Sequence, residues 1–130
     1  MKQRSETYKA GLATRTKVLG QAYVNRSMQN VNEFTEPLQD FLVEHAWGAV
    51  WTREGLSHQE RSMINLAMLT ALNRPHELKL HVKGAINNGL TKEQIREIFL
   101  QTAVYCGAPA AIDAFRTAQE VFKELDATQA

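Results

Sequence analysis

The sequence predicts an all-α fold of about six to seven helices. Prolines and glycines are few, three and seven in 130 residues, and most of them fall where helices would begin or end. In several segments apolar residues recur at spacings of three and four, which places them on one face of a helix. Two strings that begin at Ser57 and Thr91 have the capping-box pattern of helix N-termini. The length suits one domain, residues 1–130, with a single core.

The first predicted helix begins after Ser5, whose hydroxyl suits an N-cap, and runs to about Leu19. Gly20 is the expected C-terminal stop. The pattern of the next segment, from Ala22 to Gln29, fits either a helix or irregular structure.

A third helix is predicted from Glu33 to about Ala46, because its apolar residues step by three and four. They are Phe34, Leu38, Phe41, Leu42 and Ala46. An aromatic-rich string from Trp47 to Trp51 follows, interrupted by Gly48.

Ser57 and Glu60 open a fourth helix, predicted to end near Leu72. Its residues are apolar nearly all round, which is typical of a buried central helix. The residues that indicate this are Met63, Leu66, Ala67, Thr70 and Ala71.

Three further helices complete the prediction. Pro75 lies in the first turn of the next helix, which is expected to end near Asn88 with Gly89 as a left-handed C-cap. The Thr91 capping box opens a helix that runs to Cys106 and is stopped by Gly107. Pro109 is predicted to open the last helix. One face of that helix carries Ile112, Phe115, Ala118 and Phe122, and the tail from Asp126 is expected to fray.

Composition excludes several classes of function. The hydrophobic share is 44%, the charged share 22% and the net charge +1, so bulk charge gives no reason to expect nucleic-acid binding. The N-terminal residues are polar and no apolar run could span a bilayer, so we expect a cytoplasmic protein without membrane contact. Cys106 is the single cysteine; it cannot form an intrachain disulfide, and we expect it to be a small buried hydrophobe.

The segment from Asn73 to His81 contains the most informative chemistry. Glu77 and His81 are four residues apart, so they share a helix face, and Arg74 extends that stripe. A cation, a carboxylate and an imidazole in a row suit proton transfer on an anionic substrate. His76 is expected either to face solvent or to line the mouth of a pocket.

Structural alternatives stand beside these roles. Glu77 and His81 could be a surface pair worth a few tenths of a kcal/mol, and Arg74 could cap the preceding helix. A metal site is not expected, because His76 and His81 are five apart and the Glu-x-x-His spacing of carboxylate-bridged bundle sites is absent.

From about Tyr8 to Glu124 the chain resembles the carboxymuconolactone decarboxylase family, part of the alkyl-hydroperoxidase-D-like superfamily of helical proteins. The strings that carry the resemblance are Ala46-Trp47-Gly48, Trp51-Thr52-Arg53, Gly55-Leu56, Arg61-Ser62, Leu66-Ala67, Ala71-Leu72-Asn73-Arg74, Glu77-Leu78-Lys79-Leu80-His81, Leu100-Gln101, Tyr105-Cys106-Gly107 and Pro109-Ala110-Ala111. The resemblance implies decarboxylation of 4-carboxymuconolactone to 3-oxoadipate enol-lactone and CO₂ in aromatic catabolism. It also implies that no metal or organic cofactor is used and that the protein is a homotrimer or homohexamer.

For such a reaction we expect His81 to be the acid or the donor to the lactone carbonyl, with Glu77 orienting it and favouring its protonated form. Their roles could be exchanged. His58 is an alternative acid but is expected to be solvated. The residues expected to bind substrate are Arg74 or Arg53, which would hold a carboxylate, and Trp47, Trp51 and Tyr105, which would wall the pocket.

Two departures from the family qualify the prediction. The peroxidase branch of the superfamily carries Cys-x-x-Cys followed four residues later by His, whereas this chain has Arg74 and Glu77 at the cysteine positions, which excludes a redox pair there. Asn25 and His76 replace acidic residues that are more common in the decarboxylases. These differences leave open a paralogue that acts on another small lactone or keto acid, or a small-molecule-binding oligomer without activity.

Overall fold

A computed structural model describes residues 2–129 of the chain. Within them lie seven α-helices and one π-helical segment, with no strand, which confirms the predicted all-α class. The helices are α1 Glu6–Leu19, α2 Gln21–Gln29, α3 Glu36–Phe41, the π segment Leu42–Gly48, α4 His58–Ala71, α5 Pro75–Asn87, α6 Lys92–Cys106 and α7 Ala108–Gln129. None of these helices is both long enough and apolar enough to cross a membrane.

The chain forms two compact units, one that ends at His58 and one that begins at Gln59. In the N-terminal unit, α1 packs closely against the π segment. Two glycines permit this approach: a Cβ on Gly11 would lie 2.8 Å from the Cα of Gly48, and a Cβ on Gly48 would collide with the carbonyl oxygen of Thr7. The backbones therefore touch where any larger side chain would separate them.

In the C-terminal unit, α7 packs against both α5 and α6. The core has fully buried side chains from three helices and from the turn after α5, together with small residues of α7 that let the helices come close. These core residues are Leu66, Leu78, Val82, Ala85, Leu90, Ile95, Phe99, Ala114, Ala118 and Val121. The rings of Phe99 and Phe115 meet edge to face at 5.5 Å between centroids.

Several predicted helix ends are confirmed. The Ser5 hydroxyl accepts from the backbone N–H of Tyr8. Thr91 and Gln94 form the reciprocal capping box, with Thr91 Oγ1 accepting from the Gln94 N–H at 3.1 Å and Gln94 Oε1 accepting from the Thr91 N–H at 2.9 Å. Gly89 follows α5 with φ of 95°, a conformation that other residues rarely adopt.

The prediction of one helix from Glu33 to Ala46 is wrong at both ends. The Asn32 side chain accepts from the N–H groups of Phe34 and Thr35 at 2.9 and 3.1 Å, which forms a turn and delays the helix until Glu36. From Leu42 onward the chain winds more widely, as a π-helix that ends at Gly48. The spacing of apolar residues does not distinguish this winding from an α-helix.

The apolar face predicted for this segment is not buried within the chain. Phe34 is 92% exposed, and Leu38, Phe41 and Leu42 are also exposed. These four side chains expose more apolar surface in one segment than the scattered single residues that are common on soluble proteins.

The prediction that the fourth helix is buried all round is also wrong. One face of α4 is buried through Ser62, Leu66 and Thr70, but a second stripe is exposed. That stripe consists of Ile64, Met68 and Leu72. Two smaller corrections concern the last helix. It begins at Ala108 rather than at Pro109, and the tail from Asp126 is helical up to Gln129 instead of frayed.

Candidate active site

His81 is the half-buried imidazole of the C-terminal unit and lies at the end of the second turn of α5. Glu77, one turn earlier on the same face, is exposed. Pro75 begins the helix, and the spacing of four residues places Glu77 and His81 on the same face. The ring of His81 also meets α4, because Nδ2 of Asn65 lies 3.5 Å from its Nδ1.

Two opposing effects act on the pKa of His81. Burial lowers it by disfavouring the imidazolium, and the negative charge of Glu77 raises it by a smaller amount. The net shift is downward from the ordinary value of 6.5. Glu77 thus acts in the predicted direction, because its charge favours the protonated ring, but desolvation outweighs this single charge.

Asn65 is the residue near this site that the sequence analysis missed. It is half-buried on α4, a helix that we expected to be apolar nearly all round and buried. The signal was present in the sequence: Arg61 and Asn65 are polar residues four apart, so they share one face of a helix whose second half is mostly apolar. Polar residues on such a helix indicate a site or a buried polar contact.

Arg74 precedes α5 and contacts the end of α4. Its Nη1 donates to the carbonyl oxygens of Leu72 at 3.1 Å and Asn73 at 3.4 Å, which is the capping contact weighed as the alternative to substrate binding. The substrate role of Arg74 stays a prediction. His76, in the first turn of α5, is exposed.

Tyr105 lies at the end of α6 and is 82% exposed. It borders an open groove of about 420 Å³ between α4 and α6. The groove is lined by Met63, Ile64, Ala67, Ile98, Gln101, Thr102, Tyr105 and Cys106. Cys106 is exposed, so the prediction of a buried cysteine is wrong; the helix ends directly after it, at Gly107, and its side chain faces the groove.

In the N-terminal unit, Trp47 and Trp51 stack with ring centroids 4.8 Å apart, and both are 7% exposed. His58 meets the ring of Trp51 edge to face at 5.7 Å. It is half-buried, so the expectation of a solvated His58 is wrong. Arg53, two residues after Trp51, is exposed.

The structure therefore brings the predicted residues together in two groups, Glu77 with His81 and Trp47 with Trp51. Across residues 2–129, no three His, Cys, Asp or Glu side chains come together in an arrangement that could hold a metal ion.

The sequence profile of the carboxymuconolactone decarboxylase family matches residues 36–120, a range that includes α3 to α6 and most of α7. The chain belongs to this family. The match spans both tryptophans of the stacked pair and the Glu77–His81 pair.

Two relatives illustrate the range of the family. The chain is 45% identical to a 4-carboxymuconolactone decarboxylase of Acinetobacter baylyi over 120 residues, which is 92% of this chain and 90% of the relative. It is 42% identical over 115 residues to the nitrosuccinic acid decarboxylase npaB of Metarhizium robertsii, which is 88% of this chain and 80% of the relative. Both relatives are decarboxylases by name.

Proposed function

We propose that this protein is a carboxy-lyase that converts 4-carboxymuconolactone to 3-oxoadipate enol-lactone and CO₂. The observation that supports it best is the half-buried His81 with Glu77 one turn away, in a chain 45% identical to a decarboxylase of that name. The proposed reaction uses protein side chains and the unsaturated lactone itself, with no metal or organic cofactor.

The chemistry of the substrate defines what the site must do. Loss of the ring carboxylate as CO₂ leaves an electron pair on the ring carbon, and that pair spreads through the adjacent double bond to the lactone carbonyl. A hydrogen-bond donor near the carbonyl oxygen stabilises the developing charge. One proton must then be added to the ring carbon beside the carbonyl, which moves the double bond and gives the enol-lactone.

His81 suits the first of these tasks. Burial lowers its pKa, so the ring is mostly neutral at pH 7 and serves better as a hydrogen-bond donor than as a strong acid. Glu77, the exposed carboxylate on the same face, is then the candidate that takes up a proton from solvent and passes it to the ring carbon. This is the exchanged assignment of the two roles.

The other predicted substrate residues keep their proposed roles. A cation is needed for the carboxylate that the product retains, and Arg74 or Arg53 would supply it. Trp47, Trp51, Tyr105 and His76 would border the substrate and limit the access of water. We place the reaction in the cytoplasm.

We also propose that the protein is a homo-oligomer, either a trimer or a hexamer. Both units expose apolar helix faces. In the N-terminal unit the face is Phe34, Leu38, Phe41 and Leu42, and in the C-terminal unit it is the α4 stripe of Ile64, Met68 and Leu72. Contact with further copies would cover such faces.

A second candidate substrate class is nitro-substituted dicarboxylic acids, because the second relative is a nitrosuccinic acid decarboxylase 42% identical to this chain. The two reactions need similar help from the protein. In nitrosuccinate too a carboxylate leaves as CO₂, and the electron pair moves into the adjacent nitro group. A neutral donor at the receiving oxygen serves either substrate.

The deciding experiment mixes the protein with freshly prepared 4-carboxymuconolactone in the presence of EDTA and follows ultraviolet absorbance and CO₂ release. We expect turnover well above the spontaneous rate. Release of CO₂ from nitrosuccinate with none from the lactone would transfer the function to the second substrate class. Binding of either acid without CO₂ release would indicate a non-catalytic binding protein.

A further inference from the structure

Arg15 is a buried cation in the N-terminal unit that has no role in the reaction proposed so far. It lies on the face of α1 that also carries the buried residues Gly11 and Val18. The side chain is only 7% exposed. Arginine is almost never fully buried unless it is paired, because removing its charge from water is costly.

The partners of Arg15 do not balance its charge. Its Nη2 donates to the hydroxyl of Ser27 at 3.0 Å, and its guanidinium carbon lies 5.9 Å from the centre of the Tyr23 ring. Its Nη1 is buried with no hydrogen-bond acceptor among residues 2–129. A hydroxyl and an aromatic ring are neutral, so the cation lacks an anionic counterpart within the described chain.

The other buried or half-buried cation of this unit shows the contrast. Arg4 has the ring of Tyr8 beneath it at 4.3 Å and also pairs with Asp40 at 2.9 Å. Arg4 therefore has both an aromatic and an ionic partner, whereas the more deeply buried Arg15 has only the aromatic one.

We propose that Arg15 is a carboxylate-binding residue whose missing partner is a small-molecule acid, foremost the substrate. A guanidinium presents parallel N–H donors that match the two oxygens of a carboxylate. Nη1 has an unused donor but is covered in this structure, so neighbouring side chains must move aside for an acid to bind it. The identity of the acid rests on the proposed function; the preference for a carboxylate rests on the buried, unbalanced charge alone.

Three variants test this role. Arg15→Gln removes the charge but keeps an N–H donor for Ser27, and Arg15→Lys keeps the charge but loses the planar fork. Arg26→Gln is the matched control, because it makes the same charge change at an exposed position of α2. For each we would measure the melting temperature without ligand, KM and kcat for 4-carboxymuconolactone, and the rise in melting temperature with succinate, a dicarboxylate that cannot undergo the reaction.

If Arg15 binds a carboxylate, the affinities and melting temperatures of its variants should differ from those expected for an arginine with a purely structural role. Arg15→Gln should raise KM or the succinate dissociation constant about 10- to 100-fold, the loss expected for hydrogen bonds to a charged group. Its melting temperature without ligand should equal or exceed that of the wild type, because an uncompensated buried charge has been removed. Arg15→Lys should bind both acids more weakly than the wild type, and Arg26→Gln should behave like the wild type.

The other outcomes overturn the proposal. A melting temperature well below that of Arg26→Gln with unchanged affinity for both acids, or failure of Arg15→Gln to fold, would make Arg15 structural. A lower molecular mass in solution with unchanged affinity would show that the carboxylate comes from a second copy of the chain. If the wild type turns over no lactone, the proposed function fails separately, and an Arg15-dependent succinate response still supports the site. If neither acid binds in an Arg15-dependent way, the proposal is rejected.

Discussion

Nδ2 of Asn65 lies 3.5 Å from Nδ1 of His81, so a side chain from α4 meets the ring that α5 presents. If Asn65 donates from Nδ2 to this ring, Nδ1 accepts and the proton of the neutral ring lies on Nε2. We therefore expect Asn65 to be a positioning residue that holds the ring of His81 and selects its tautomer.

Replacement of Asn65 tests that relationship. In Asn65→Leu the tautomer is no longer selected, and we expect kcat to fall about 10-fold, the lower end of the effect of a supporting partner. Asn65→Asp should instead raise the pKa of His81, because it adds a negative charge beside the ring. Histidine ¹⁵N chemical shifts would report both changes. Unaltered shifts in both variants would show that Asn65 does not influence the ring of His81.

His81 itself should be the most sensitive position. His81→Gln keeps a hydrogen-bond donor but removes the imidazole, and we expect turnover to fall at least about 100-fold. His45→Gln makes the same change at an exposed histidine of the π segment that has no proposed role in the reaction, and it is the control. Near-normal turnover in His81→Gln would remove this residue from the mechanism.

The stability of the protein should depend on pH through His81. Its pKa is lowered in the folded chain, so the unfolded chain binds more protons between pH 6.5 and that lower value, and stability falls as pH falls through this window. Thermal unfolding from pH 7.5 to 5 should therefore show a steeper loss for the wild type than for His81→Gln. Parallel curves would mean that the ring titrates alike in both states.

The contact between α1 and the π segment should tolerate no added atoms. Gly11→Ala places a Cβ against the backbone of Gly48 and the carbonyl oxygen of Val43, and we expect it to destabilise the protein by about 1–3 kcal/mol. Gly55→Ala is the control, because a Cβ there has open space around it. Chemical denaturation of both variants measures the difference; equal midpoints would contradict the close contact.

The exposed stripe on α4 should control assembly. Met68→Glu places a charge in the centre of that stripe, and we expect a smaller particle by light scattering because the charge would have to be buried on association. Glu93→Gln, at an exposed position near the start of α6, is the comparison. An unchanged mass for Met68→Glu would place the contact between copies on another surface.

The sequence predicted the parts of the fold that local chemistry determines. Ser5, Thr91 and Gly89 mark helix ends whose hydrogen bonds or φ values depend on a few neighbouring residues, and these predictions are confirmed. Periodicity also showed that Glu77 and His81 share a face. In contrast, the exposure of Ile64, Met68 and Leu72 could not be predicted. Apolar residues recur at the same spacing whether or not side chains of the same chain cover them.

The same distinction applies to the candidate site. The pKa direction of His81 depends on how deeply α5 packs, which spacing along the sequence does not reveal. Asn65 was overlooked because it comes from another helix, and its proximity to His81 is a tertiary contact. Arg15 was overlooked because an arginine in an amphipathic helix is most often exposed.

Because of the π segment, the position of Trp51 depends on how many residues lie between α3 and Trp51. The N–H of Trp51 donates to the carbonyl oxygen of Ala46, five residues back, at 3.0 Å. A π-helix accommodates one more residue than an α-helix over the same rise, and such segments are frequent at functional sites. Loss of one residue before Trp47 would rotate both tryptophans together by about 100° relative to α3. The position of the stacked pair in the N-terminal unit therefore depends on the number of residues in the segment as much as on their identity.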